Sequence, residues 1–122
     1  MFFLYYSGMA VTSFHPESFP VNVRRAIDFL KDKIGNNGCI VLFGSRTGAT
    51  KKKHPDYDIG ILTNQEIEWK TFTTWKSRVE DLAWSYSIDL VDLNRVPDDF
   101  REIVEKEMVL LHGTYNERSK AD

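Results

Sequence analysis

The sequence predicts an α/β domain. Short apolar runs rich in β-branched residues stand at 39–43, 56–62, 87–93 and 109–112, which is strand composition. Longer segments at 21–34, 64–86 and 98–108 carry apolar residues at helical spacing. The two kinds alternate along the chain, and that alternation points to helices packed on a sheet. With 122 residues, 42% of them apolar, one domain with a modest core is expected.

Residues 1–20 read as an extended lead-in, because His15-Pro16 and Phe19-Pro20 discourage a helix. The start MFFLYYSGMAV is too short to span a bilayer and holds no Lys or Arg before Arg24, so no export signal is read. Val23, Ala26, Ile27, Leu30 and Ile34 then form a helical stripe, opened by Pro20 and stopped at 35–38 by GNNG. Its Arg24, Arg25, Lys31 and Lys33 read as a solvated face.

The helix over 64–86 has Asn64 as its expected cap and Ile67, Phe72, Trp75, Val79 and Leu82 as its stripe. Trp69, Trp75 and Trp84 are more aromatic surface than so narrow a stripe needs, which suggests contact with another protein or subunit. In the last helix Phe100, Ile103, Val104 and Met108 are expected inward, with Asp98 and Asp99 at its positive N-terminus. The domain is thus read over 21–113, followed by a polar, frayed tail at 114–122.

The chemistry concentrates in 39–63, CIVLFGSRTGATKKKHPDYDIGILT. Gly44-Ser45 leaves a strand at a point where backbone N–H groups can face an anion with no Cβ in the way, as a phosphate requires. Asp56 and Asp58 share one face of the next strand, their Cβ atoms about 7 Å apart, close enough to hold one Mg²⁺ or a pair of ions. In the strand over 87–93, Asp89 and Asp92 face opposite ways, so one of them alone can join that carboxylate face. The loop between carries Lys51, Lys52 and Lys53, cations for a triphosphate or an acidic acceptor, or else a solvated run.

Gly44-Ser45, ten residues, then Asp56-Tyr57-Asp58, flanked by apolar strands, resembles the motif of the DNA polymerase β-type nucleotidyltransferase superfamily, in its minimal nucleotidyltransferase branch. The resemblance covers roughly 37–113. It implies a short mixed sheet flanked by helices. It also implies Mg²⁺-dependent transfer of a nucleoside monophosphate, AMP from ATP, onto an acceptor hydroxyl. By the same resemblance Asp56, Asp58 and Asp89 are the catalytic carboxylates holding two Mg²⁺ ions, while Gly44, Ser45 and Arg46 bind the nucleotide. Asp92 is left as a solvated strand end. Two glycines depart from the common pattern: Gly48 comes one position early, and Gly60 replaces a larger apolar residue, which is expected to loosen its strand.

Other chemistries fit poorly. Ser45 belongs to no Ser/His/Asp order, and Cys39 with three scattered histidines gives no zinc spacing. A net charge of −2 and pI near 5.9 argue against gripping long nucleic acid. The lone Cys39, inside an apolar strand, reads as a buried thiol and suits a reducing cytoplasm. Resemblance further implies a small helical HEPN-type partner: the chain would act as an antitoxin that adenylylates its toxin. The alternatives are a module that masks the toxin by contact alone, and a nucleotidyltransferase for a small hydroxylated molecule such as an aminoglycoside. A homo-oligomer is also compatible with the surplus of tryptophans.

Overall fold

A computed structural model describes residues 2–6, 9–14, 18–44 and 56–115, with the backbone alone for 2–6 and 9–14. Along the chain run β1 (Phe2–Tyr6), β2 (Met9–Phe14), α1 (Val21–Ile34), β3 (Gly38–Phe43), β4 (Asp56–Thr63), α2 (Trp69–Ala83), β5 (Ser87–Asp92), α3 (Asp98–Glu107) and β6 (Val109–His112). The strands form one mixed sheet in the order β2-β1-β6-β3-β4-β5. β4 and β5, joined through α2, are parallel, and the other pairs are antiparallel. The lead-in read over 1–20 therefore includes a strand pair, β1 with β2, at one edge of the sheet.

Alternation along the strands divides the interior into two layers. Ile40, Leu42, Tyr57, Ile59, Ile61, Ile88 and Leu90 pack with α1 and α2 on one face. Cys39, Val41, Phe43, Leu62 and Leu93 meet Val104 of α3 and Met108 just after it on the other. α1 follows its sequence pattern: Val23, Ala26, Ile27, Leu30 and Ile34 are all buried, and Gly35, at φ 51°, ends it by donating its N–H to Lys31 O at 2.9 Å.

Three expectations change. α2 begins at Trp69, and Asn64 does not cap it. The Asn37 side chain instead pairs with both backbone groups of Gln65, at 3.1 and 3.4 Å, while Asn64 N donates to Asn37 O at 2.6 Å. Those bonds hold 64–65 against the start of β3, so the helix starts only beyond them. In α3 Ile103 is 57% exposed and Arg101, 5% exposed, turns inward with Val104 and Met108. The buried stripe runs 101–104–108 and takes the guanidinium in with it, Arg101 Nε and Nη2 being buried with no hydrogen-bond partner among the described residues. Gly60 does not loosen β4. A Cβ there would lie 2.8 Å from Leu93 Cδ1 and 3.3 Å from Val41 Cγ2, so the missing side chain lets the neighbouring layer close onto the strand.

No helix among the described residues is long and apolar enough to cross a membrane.

Candidate active site

β3 runs antiparallel to β4, and β4 parallel to β5, so the C-terminal end of β3 meets the N-terminal ends of β4 and β5. At that end the register sets Phe43 against Asp58, Asp58 against Asp89, and Asp56 against Ser87. Residues paired across strands share a face, so Asp56, Asp58 and Asp89 all point to the α3 side of the sheet. Tyr57 is buried on the opposite side, edge-on to Phe19 (5.6 Å between ring centroids) and Tyr86 (6.5 Å). That anchoring fixes which way the two β4 carboxylates project.

Gly44 follows β3 at φ 76°. A Cβ at this position would collide with Asp58 Oδ2, so the glycine lets the first loop residue lie directly against a site carboxylate. Its N–H donates to Glu107 Oε1 at 3.1 Å, which brings the C-terminal turn of α3 to the loop. Ser45, Arg46, the three lysines and His54 lie outside the described residues.

Asp89 is 62% exposed at its side chain and accepts a hydrogen bond from Lys76 Nζ at 3.1 Å. The same ammonium donates to Leu90 O at 3.1 Å, protecting the outer edge of β5. Neither Lys76 nor Glu107 was singled out from sequence. Their partners stand 13 and 63 residues away, and no local pattern links them.

Asp92 is not a solvated strand end. It is 4% exposed on the α1/α2 side, where its carboxylate accepts from Asn94 N at 3.0 Å and from Arg95 Nε at 3.1 Å. Arg95 continues to Ile67 O at 2.7 Å and lies over the Trp69 ring, 5.5 Å from its centroid. The turn after β5 is thereby tied to the start of α2, which gives Asp92 a structural task.

Asp56, Asp58 and Asp89 could offer a cation carboxylate oxygens alone, a donor type that suits a hard ion such as Mg²⁺. Among the described residues no three His, Cys, Asp or Glu side chains are already gathered closely enough to hold an ion. The exposed Lys76–Asp89 contact is the kind that exchanges easily in water, so Asp89 is available to a competing cation.

Comparison with known proteins bears on the family and the fold. The probable protein adenylyltransferase MntA of Haemophilus influenzae is 29% identical over 69 residues, 57% of this chain and 60% of that protein. The aligned segment thus spans well under two thirds of that relative's length. Among solved structures, a toxin–antitoxin complex with AMP-PNP superposes at a TM-score of 0.64 with 26% identity, covering 77% of this chain and 75% of that one. A tri-AMPylated HEPN toxin in complex with an MNT antitoxin, from Shewanella oneidensis, matches at 0.60 with 26% identity over 77% of this chain and 71% of that one. The family model described as "Polymerase beta, Nucleotidyltransferase" matches residues 25–117, well over half the chain and including every site residue named above, and the chain therefore belongs to the polymerase β nucleotidyltransferase family.

Proposed function

We propose that this chain is a Mg²⁺-dependent nucleotidyltransferase that moves AMP from ATP to a hydroxyl on a helical HEPN-type partner, acting as that partner's antitoxin. The observation that carries this reading is the placement of Asp56, Asp58 and Asp89 on one face of the sheet at the strand end beside Gly44, in a chain of this family. Similarity to an adenylyltransferase and to an MNT protein solved with its AMPylated toxin supports the choice of AMP and of a protein acceptor.

Asp56, Asp58 and Asp89 would hold two Mg²⁺ ions, which would neutralise the phosphates and acidify the acceptor hydroxyl. Gly44 and Ser45 bind the outer phosphates through backbone N–H groups and the Ser hydroxyl, and Arg46 offsets their charge. Asp56 and Asp58 then set the α-phosphate over β4. The acceptor approaches from the exposed side of Asp89, which orients its hydroxyl and takes its proton. A bond forms from acceptor oxygen to the α-phosphorus as the bond to the β-phosphate oxygen breaks, and pyrophosphate leaves past the Gly44 loop. Positioning of the reactants supplies much of the acceleration.

A second reading, masking by contact alone, gains from two observations: Lys76 already occupies Asp89, and three carboxylates are not gathered around one point among the described residues. Transfer of label from α-labelled ATP to the neighbouring helical protein decides between them. Label that disappears with Asp56→Asn or Asp58→Asn is the expected result. A tight complex without label would replace transfer by masking.

A further inference from the structure

Trp84 ends α2 at φ 58°, ψ −104°, the one positive φ outside glycine among the described residues. α1 ends in nearly the same geometry, φ 51° and ψ −126°, but there the residue is Gly35. In both, the cap N–H returns to a carbonyl four residues back, at 3.3 Å for Trp84 and 2.9 Å for Gly35. A bulky L-residue is strained in a position that glycine occupies freely. Trp84 gains little from the fold in return, since it is 80% exposed.

The last turn of α2 is also unfavourable electrostatically. Glu80 and Asp81 lie exposed at the negative end of the helix, and no basic residue accompanies them. Two features that oppose local stability therefore coincide on one surface.

That surface lies at the same end of the sheet as the carboxylates. Ser87 comes three positions after Trp84, so their Cα atoms lie within about 11 Å. Ser87 pairs directly with Asp56, and Asp89 follows it on the exposed edge strand. Trp84 thus stands where the chain enters the edge strand β5, at the end of the sheet that carries Asp56, Asp58 and Asp89.

We infer that Trp84, with Glu80 and Asp81 beside it, forms the surface on which the protein acceptor seats a basic segment next to the hydroxyl that receives AMP. This rests on the proposed function for the identity of the occupant. The indole offers a broad rigid face for an arginine or lysine stem, and the two acids complement its charge.

The test is calorimetric titration of the full chain with the helical protein encoded beside its gene, run in parallel with label transfer from α-labelled ATP. Trp84→Gly is expected to weaken the complex on the order of tenfold or more, to leave the KM for ATP unchanged, and to keep or raise the melting temperature. Trp84→Phe should fall between, and Glu80→Gln with Asp81→Asn should weaken the complex and flatten its salt dependence. If Trp84→Gly lowers the melting temperature, the Phe and carboxamide variants, which retain a side chain at the cap, decide the matter. Wild-type affinity in all these variants overturns the inference, as does the absence of any complex with the wild-type chain. A complex weakened by Trp84→Gly but carrying no label would retain this surface and discard AMP transfer.

Discussion

Gly44 donates its backbone N–H to Glu107 Oε1 at 3.1 Å, so the first amide of the expected phosphate cradle is held by a carboxylate from the far end of the chain. A phosphate oxygen entering this loop competes with Glu107 for the same type of hydrogen bond, and the carboxylate's charge repels it. Glu107→Gln keeps an acceptor oxygen but removes that charge. ATP is expected to bind about two- to tenfold more tightly, with the melting temperature within a few degrees of wild type. Titration with a non-hydrolysable ATP analogue measures it, and weaker binding would show that Glu107 chiefly shapes the loop.

Asp89 and Asp92 stand three residues apart and should respond oppositely to substitution. Asp92→Ala removes the acceptor for Arg95 and for Asn94 N, at a cost of roughly 2–3 kcal/mol in unfolding free energy. Asp89→Asn loses only an exposed ion pair, worth under about 1 kcal/mol, yet is expected to abolish transfer. Urea titration and label transfer on the two variants separate the roles. Transfer retained in Asp89→Asn would remove it from the catalytic set.

Gly60 and Leu93 are coupled by contact. Gly60→Ala sets a methyl against Leu93 Cδ1 in a fully buried layer, and overpacking of this kind costs about 1–3 kcal/mol. Leu93→Val makes room, so the double variant should be more stable than the sum of the single losses implies. Additive losses in a double-mutant cycle would mean that the strand moves as a whole instead.

Alkaline pH should destabilise the fold through its buried thiol and phenol. Burial pushes the Cys39 thiol up from 9.0 to about 11, and burial together with the hydrogen bond to Glu105 raises the Tyr115 phenol above its ordinary value. Below pH 9 both groups are protonated in the folded and the unfolded chain, and neither contributes a pH dependence. Above it the unfolded chain releases protons that the folded chain retains, so stability falls as pH rises from 9 toward 11. Melting temperatures across that range should drop, and less steeply in Cys39→Ala. A flat profile in the wild type would contradict the burial of both groups.

Much of this was legible in the sequence because it depends on local periodicity. The stripe from Val23 to Ile34 specifies α1 whatever it packs against, and the two-residue period of β4 sets Asp56 and Asp58 on one face with Tyr57 on the other. Alternation also required Asp89 and Asp92 to face apart. It could not say which of those faces a helix would cover, and Asp92 consequently proved to be an interior anchor rather than a solvated end.

Tertiary structure alone decided the relations that join distant residues. The Asn37 amide delays the start of α2, Leu93 fills the space above Gly60, Lys76 reaches Asp89, and Glu107 reaches Gly44. Each depends on how strands are ordered and helices laid across them. A one-dimensional pattern records the face a side chain takes but not the neighbour it meets there. For this protein the sequence by itself determined the three helices, the strands from β3 onward and the facing of its acids, because these follow from backbone periodicity, whereas the β1–β2 pair, read as a lead-in, did not show in it. Only the folded sheet decided which acid is buried, which is open to an acceptor, and what holds the loop beside them, because those depend on contacts across the chain.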